Sequence, residues 1–198
     1  WEQWVTSDRF HHDMSHAGDI EACLQPDEVL VADRAYCSYE LMARLREKGV
    51  WMVARLHQKR KVDWRRGRKP GGNGDRLFTW KKPVRQSPKS RIAADEWAAL
   101  PEELPVRLVR ASFVGRDGRT KTIVIATTFL DAEKYTGKDL VGLYGDRWQI
   151  ELRLRDIKTT MGMEVLRART PEMAQKEVAF FAIAYNVVRL LMITWSAS

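Results

Sequence analysis

The chain has 198 residues, of which 44% are hydrophobic and 30% charged. That is enough to bury a core and too apolar for global disorder. Thirty-four Lys and Arg against 26 Asp and Glu leave a net charge of +8, which points to a polyanionic partner, nucleic acid first. Two cysteines, Cys23 and Cys37, exclude a disulfide scaffold and a zinc finger. Nothing near Trp1 has the basic-then-apolar pattern of a secretory signal, and the chain reads as a piece whose start lies upstream.

In chain order, Glu28 to Asp33 is a short apolar run ending in a carboxylate. Ser38 caps a predicted helix over 39–48, with Gly49 as its stop, and Val50 to Leu56 is the next strand. The spacing predicts a right-handed strand–helix–strand crossover with parallel strands. Asp33 then stands at a strand's carboxyl end, where open α/β sheets place their ligands.

The charge is concentrated in one stretch. From Gln58 to Arg91 there are thirteen basic residues and two acids, so this segment carries +11 and the rest of the chain about −3. Its glycines and prolines predict turns and short strands. Val106 to Phe113 and Lys121 to Phe129 read as a hairpin joined through Gly115 to Gly118. Two helices follow. One spans roughly 140–161; the other starts at Thr170-Pro171-Glu172, a cap, a first-turn proline and a first-turn acid. Its apolar stretch from Val178 to Trp195 contains Asn186 and Arg189, and reads as a buried core helix instead of a membrane span.

The first of these helices carries the strongest signal. At about 100° per residue with Tyr144 at 0°, Arg147 falls near 300°, Glu151 near 340°, Arg155 near 20° and Lys158 near 320°. Apolar residues flank this stripe on both sides: Leu143, Ile150, Leu154 and Ile157 on one, Trp148 and Leu152 on the other. A solvated face with i,i+4 pairs such as Glu151 and Arg155 is the plain alternative. It explains less, because a charged stripe within an apolar face is costly unless paired, metal-bound or lining a cleft.

The spacing Tyr144-(2)-Arg147-(3)-Glu151-(6)-Lys158 resembles the Y-(2)-R-(3)-E-(6)-K signature of the insertion-sequence family 4 transposases. Asp156-Ile157-Lys158 with the residues after it, and Leu166 to Met173, also resemble that family, and Val31-Ala32-Asp33-Arg34-Ala35-Tyr36 is similar to its second-aspartate motif. The resemblance covers roughly 33–189. It implies an α/β, ribonuclease H-like core, a mixed sheet with flanking helices, with a mainly β insertion. On this reading 1–56 and 121–198 form the core, incomplete at its N-terminus, and 57–120 the basic insertion.

The implied chemistry is DNA cleavage and strand transfer, in which three carboxylates hold two Mg²⁺ ions, with Mn²⁺ as a substitute. Asp33 and Glu151 would be catalytic metal ligands. Tyr144, Arg147 and Lys158 would hold DNA phosphates at the transposon end, and Arg155 joins them from the helix geometry. The first carboxylate is expected upstream of Trp1, since Asp8, Asp13 and Asp19 lie in irregular sequence. This piece alone is therefore expected to be inactive. The implied partners are the terminal inverted repeats and target DNA, with a homodimer in the DNA complex, no membrane, and a prokaryotic cytoplasmic location at the nucleoid when DNA-bound. The rival readings are a catalytically dead DNA-binding remnant and a ribonuclease H-like nuclease.

Weaker signals are read as structural. His11, His12, Asp13 and His16 lack a third well-placed ligand. Gly71 to Gly74 lacks the Lys and Ser/Thr of a phosphate-binding loop. Cys37 reads as a structural thiol. Trp64, Trp80 and Trp97 either stack on bases or pack inside the β segment.

Overall fold

The computed structural model describes residues 17–196 except 73, 89, 91, 115–118 and 164. The elements are α1 (Ala17–Cys23), β1 (Val29–Ala32), α2 (Tyr39–Glu47), β2 (Trp51–Arg55), β3 (Asp75–Lys81), α3 (Ala94–Ala99), β4 (Glu103–Val114), β5 (Thr120–Thr127), α4 (Gly137–Arg155) and α5 (Pro171–Ser196). Compactness divides the chain into one unit over His12–Arg147 and another over Trp148–Ser198 together with Trp1–His11.

The larger unit is built on one five-stranded sheet of order β1-β2-β5-β4-β3. The predicted crossover is present: β1 and β2 pair in parallel, Val29 opposite Trp51 and Ala32 opposite Ala54. Ser38 supplies the cap of α2, its hydroxyl accepting from the Leu41 amide at 3.1 Å. Gly49 ends the helix at φ 77°, a left-handed conformation that glycine adopts without strain. The predicted hairpin is also present, with β4 antiparallel to β5 and Val114 opposite Thr120. β3, which follows the most basic turns, pairs antiparallel with β4 and continues the same sheet.

Both faces of the sheet are covered, which is why β2 reads as an uninterrupted apolar run. Met52 and Ala54 join Leu41, Met42 and Leu45 of α2, together with Leu104, Val106 and Leu108 of β4. Val53 points the other way and packs with Val109, Ile125, Phe129 and, from α4, Leu140 and Tyr144. Two buried threonines lock β2 to β5: Thr128 Oγ1 accepts from the Met52 amide at 2.9 Å, and Thr127 Oγ1 donates to the Met52 carbonyl at 2.7 Å.

One buried ion pair sits on the α4 face. Arg107 of β4 is 0% exposed, and its Nε and Nη2 donate to the two carboxylate oxygens of Asp75 at 2.9 and 2.6 Å. Its Nη1 donates to the carbonyls of Asp131 and Tyr135 at 3.2 and 2.6 Å, in the loop that leads into α4. Thr136 and Asp139 then cap the helix reciprocally: Thr136 Oγ1 accepts from the Asp139 amide at 3.2 Å, and Asp139 Oδ2 from the Thr136 amide at 3.2 Å.

Two expectations change in the second unit. The helix expected over 140–161 keeps α-helical winding only to Arg155, and Asp156–Thr160 forms a π turn closed by Met161 N donating to Asp156 O. α5 starts where its cap predicted, with the Met173 amide donating to Thr170 Oγ1 at 3.3 Å. It is not a buried core helix: none of its described side chains is buried, and Phe180 is 70% exposed. The physical reason is supply of surface. Among its described residues the Trp148–Ser198 unit offers, beside α5, the end of α4, the π turn and the loop after it, too little to cover 26 residues.

Leu45→Ala should lower unfolding free energy by about 2–5 kcal/mol through the cavity it leaves. Ser38→Ala should cost about 1 kcal/mol through removal of the cap. Urea denaturation of the two variants measures both, and a cap effect as large as the cavity effect would contradict the packing described.

Candidate active site

The parallel crossover delivers β1 and β2 to the same end of the sheet. Asp33 follows the last residue of β1 in extended conformation, φ −76° and ψ 170°, and its carboxylate makes no capping bond to the 3₁₀ turn Arg34–Tyr36. Its backbone carbonyl accepts from the Tyr36 amide at 3.0 Å, which leaves the partly buried side chain at the strand end. Arg55 ends β2 beside it, followed by Leu56 and His57.

Helix α4 brings Tyr144 to this end. Tyr144 is 9% exposed and packs against the apolar face formed by Val53, Val109 and Ile125. Burial pushes its phenol above the ordinary value of 10.0; the Arg147 charge opposes this, the Asp33 carboxylate adds to it, and a hydrogen bond with Arg147 and the charge of Arg55 lower it. One phenol thus lies within electrostatic reach of Asp33, Arg55 and Arg147. The Arg147 guanidinium lies 5.4 Å from the Tyr144 ring centroid. Of the singled-out residues, Asp33 and Arg147 thus lie within electrostatic reach of Tyr144, and Arg55 joins them.

A groove of about 240 Å³ opens at the same strand end, lined by Arg34, Arg55, His57, Arg60 and Trp64 among others, with no carboxylate in its wall. Arg34 Nη1 donates to Gln58 Oε1 at 3.0 Å, and His57 Nδ1 accepts from the Lys59 amide at 3.2 Å. The groove suits an anion that can accept from several cationic donors at once.

The other singled-out residues belong to the second unit. Glu151 lies on α4, and its side chain falls outside the described residues, as does that of Trp148. Arg155 closes α4 and is exposed; Lys158, also exposed, lies in the π turn. A turn that takes more residues advances each by a smaller angle, so the 100° stepping that put Lys158 near the Tyr144 stripe does not hold beyond Arg155. Asp8, Asp13 and the histidine cluster at 11–16 lie outside the described residues, and so does the side chain of Asp19.

Three tryptophans resolve toward packing. Trp80 is buried under Arg60, whose guanidinium lies 3.8 Å from the ring centroid. Trp64 lies under Arg110 at 4.1 Å, and Trp97 faces Lys82 Nζ at 5.9 Å. Cys37 is buried, and burial pushes its thiol up to about 11, against reactivity at neutral pH.

Asp33 fits a divalent cation as one ligand: a hard oxygen donor, partly exposed, at a strand end and not spent on its own turn. Among the described residues no three His, Cys, Asp or Glu side chains converge. Residues 5–187 match the family described as transposase DDE domain. The chain belongs to this family. It is similar to the transposase InsG for insertion sequence element IS4 of Escherichia coli (strain K12), 31% identical over 168 residues, which take in 81% of this chain and 34% of the relative. The chain thus spans about a third of that relative's length. As a DDE transposase domain of the IS4 kind, it has the expected α/β, ribonuclease H-like fold: a mixed five-stranded sheet with flanking helices.

Two features of this transposase domain were missed in the sequence. Arg55 follows directly from the crossover reading, since both parallel strands end on the same side. Arg107 shows only as a charge inside an apolar strand pattern, and its partners come from elsewhere in the chain.

Because Tyr144 holds its proton more tightly when folded, the folded state binds more protons than the unfolded chain above pH about 10, and stability falls with pH there. Tyr144→Phe should remove part of this alkaline loss. Asp33→Asn should bring the phenol pKa down, read from tyrosinate absorbance against Tyr144→Phe. No change on neutralising Asp33 would show that its carboxylate does not face the phenol.

Proposed function

We propose that the protein is a transposase that cleaves DNA at the ends of an insertion sequence and joins it to target DNA, using divalent metal ions. What supports this reading is that the strand-end carboxylate Asp33 lies within electrostatic reach of Tyr144 on the signature helix, whose ring stands 5.4 Å from the Arg147 guanidinium. Family membership agrees with it.

In this reading Asp33 and Glu151 ligate Mg²⁺, with Mn²⁺ able to replace it. When bound, such ions activate water or a DNA 3′-hydroxyl and stabilise the leaving oxygen. The protein's own residues position the substrate. Arg147, Arg155 and Lys158 bind phosphates, and Tyr144, protonated across the neutral range, donates its hydroxyl to a phosphate oxygen or keeps Arg147 aligned. Asp33 and Glu151 belong to different units of the chain, so their approach is a claim that distance measurement in the DNA complex can refute. The inverted repeats and target DNA are the partners, a homodimer forms on DNA, and the protein works at the nucleoid of a prokaryotic cytoplasm. Among the described residues no helix is long and apolar enough to cross a membrane.

The region 57–120 is the DNA-gripping insertion in this proposal. Lys59, Arg65, Arg68 and Lys69 are all exposed on its turns. A catalytically dead remnant would keep this grip and lose the chemistry, so the two readings separate in one assay.

In the intact transposase, Glu151→Gln should abolish Mg²⁺-dependent cleavage while leaving DNA affinity nearly unchanged. Full cleavage by Glu151→Gln would end the metal-ligand assignment, and a wild-type protein that binds DNA without cutting would be the remnant.

Replacing Lys59, Arg65, Arg68 and Lys69 with glutamine should flatten the dependence of log affinity on log salt by about 0.9 for each phosphate no longer neutralised. An unchanged slope would place the DNA on another surface.

A further inference from the structure

We infer that Arg107 is a positioning residue: its buried fork with Asp75 fixes where α4 leaves the sheet, and so where Tyr144 and Arg147 stand against Asp33. This rests on the transposase reading for its consequence in catalysis, and on the geometry alone for the brace itself.

The guanidinium is fully committed. Two nitrogens hold the Asp75 carboxylate and the third holds the carbonyls of Asp131 and Tyr135. One side chain thereby ties β3, β4 and the loop before α4. The junction has no slack. A Cβ on Gly137, the first residue of α4, would come within 3.2 Å of Val109 Cγ1 and 3.9 Å of Asp75 Oδ2. A Cβ on Gly71 would come within 3.0 Å of Asp75 Oδ2 and 3.6 Å of Ala132 Cβ. The basic turn before β3, the loop before α4 and the helix start all close on the same carboxylate.

Stability does not require this chemistry. A buried ion pair is often matched or bettered by well-packed apolar residues of similar volume, and its distinctive contribution is direction. Arg supplies that through a planar fork, which Lys cannot reproduce. From Gly137 to Tyr144 the helix runs about 10 Å at 1.5 Å per residue, so a small change of angle at its start becomes a displacement of the phenol. Displacements of about 1 Å cost on the order of a hundredfold in rate when reacting groups must be aligned.

The test uses the intact transposase with Arg107→Met combined with Asp75→Leu, and separately Arg107→Lys. The expected result for the double variant is an unfolding midpoint close to wild type and DNA affinity within about twofold. Cleavage turnover should fall by about a hundredfold. Amide hydrogen exchange over 137–144 should be about tenfold faster, while β2 and β5 exchange as before. Arg107→Lys keeps the charge and removes the fork, and should show the same pattern in exchange and turnover. A double variant that folds with wild-type turnover and wild-type exchange over 137–144 overturns the inference. So does a double variant that fails to fold, because the pair would then be a stability element. If wild type itself shows no metal-dependent cleavage, the transposase reading fails, and the exchange contrast still decides whether Arg107 sets the helix.

Discussion

The described part of the larger unit turns on a charge that cannot be left alone. Arg107 is sealed inside the sheet–helix interface, and removing its counter-ion would leave a buried cation, a loss of about 3–5 kcal/mol. The fold meets that demand with Asp75 from the neighbouring strand and two carbonyls from the loop ahead of α4. The same bonds that satisfy the guanidinium settle the order in which elements meet. β3 must lie beside β4, the loop must pass over both, and the helix must start where glycine stands. Apolar packing by Leu140 and Tyr144 then fills the face that this arrangement defines.

At the opposite strand ends the logic is chain direction. Parallel β1 and β2 carry Asp33 and Arg55 to one edge of the sheet, a carboxylate and a guanidinium side by side. Helix α4 adds a second pair of unlike groups, Tyr144 and Arg147. On the proposed reading, such a mixture would suit a phosphate that travels with a metal ion, each partner neutralising one half of the site.

The local signals were legible. Ser38, Gly49 and Thr170 mark helix boundaries through backbone hydrogen bonds that span only a few residues, and the structure places caps and stops there. The crossover and the hairpin followed from strand spacing, and the Tyr-Arg-Glu-Lys spacing falls on a helix, α4. What was not legible depends on partners far along the chain. The completion of the sheet by β3, the Arg107–Asp75 fork and the approach of Arg55 to Tyr144 join segments whose sequences carry no sign of one another. The π turn at 156–160 escaped for a different reason: apolar periodicity of α and π winding differs too little over five residues to be seen. The burial assigned to α5 failed because apolar composition states that a surface wants cover, not that the chain supplies it.

The stacking of Arg60 on Trp80 and Arg110 on Trp64 alters what the basic segment offers an approaching strand. A free arginine on a surface must be frozen out of many rotamers before it can grip, at about 0.5–1.5 kcal/mol for each side chain immobilised. Here the indole planes already hold the guanidinium faces of two exposed arginines. Part of the ordering entropy is therefore spent during folding. On the proposed transposase reading, a phosphate meeting these two arginines would find donors already arrayed, and the segment's grip would depend on the integrity of its tryptophans as much as on the number of its charges.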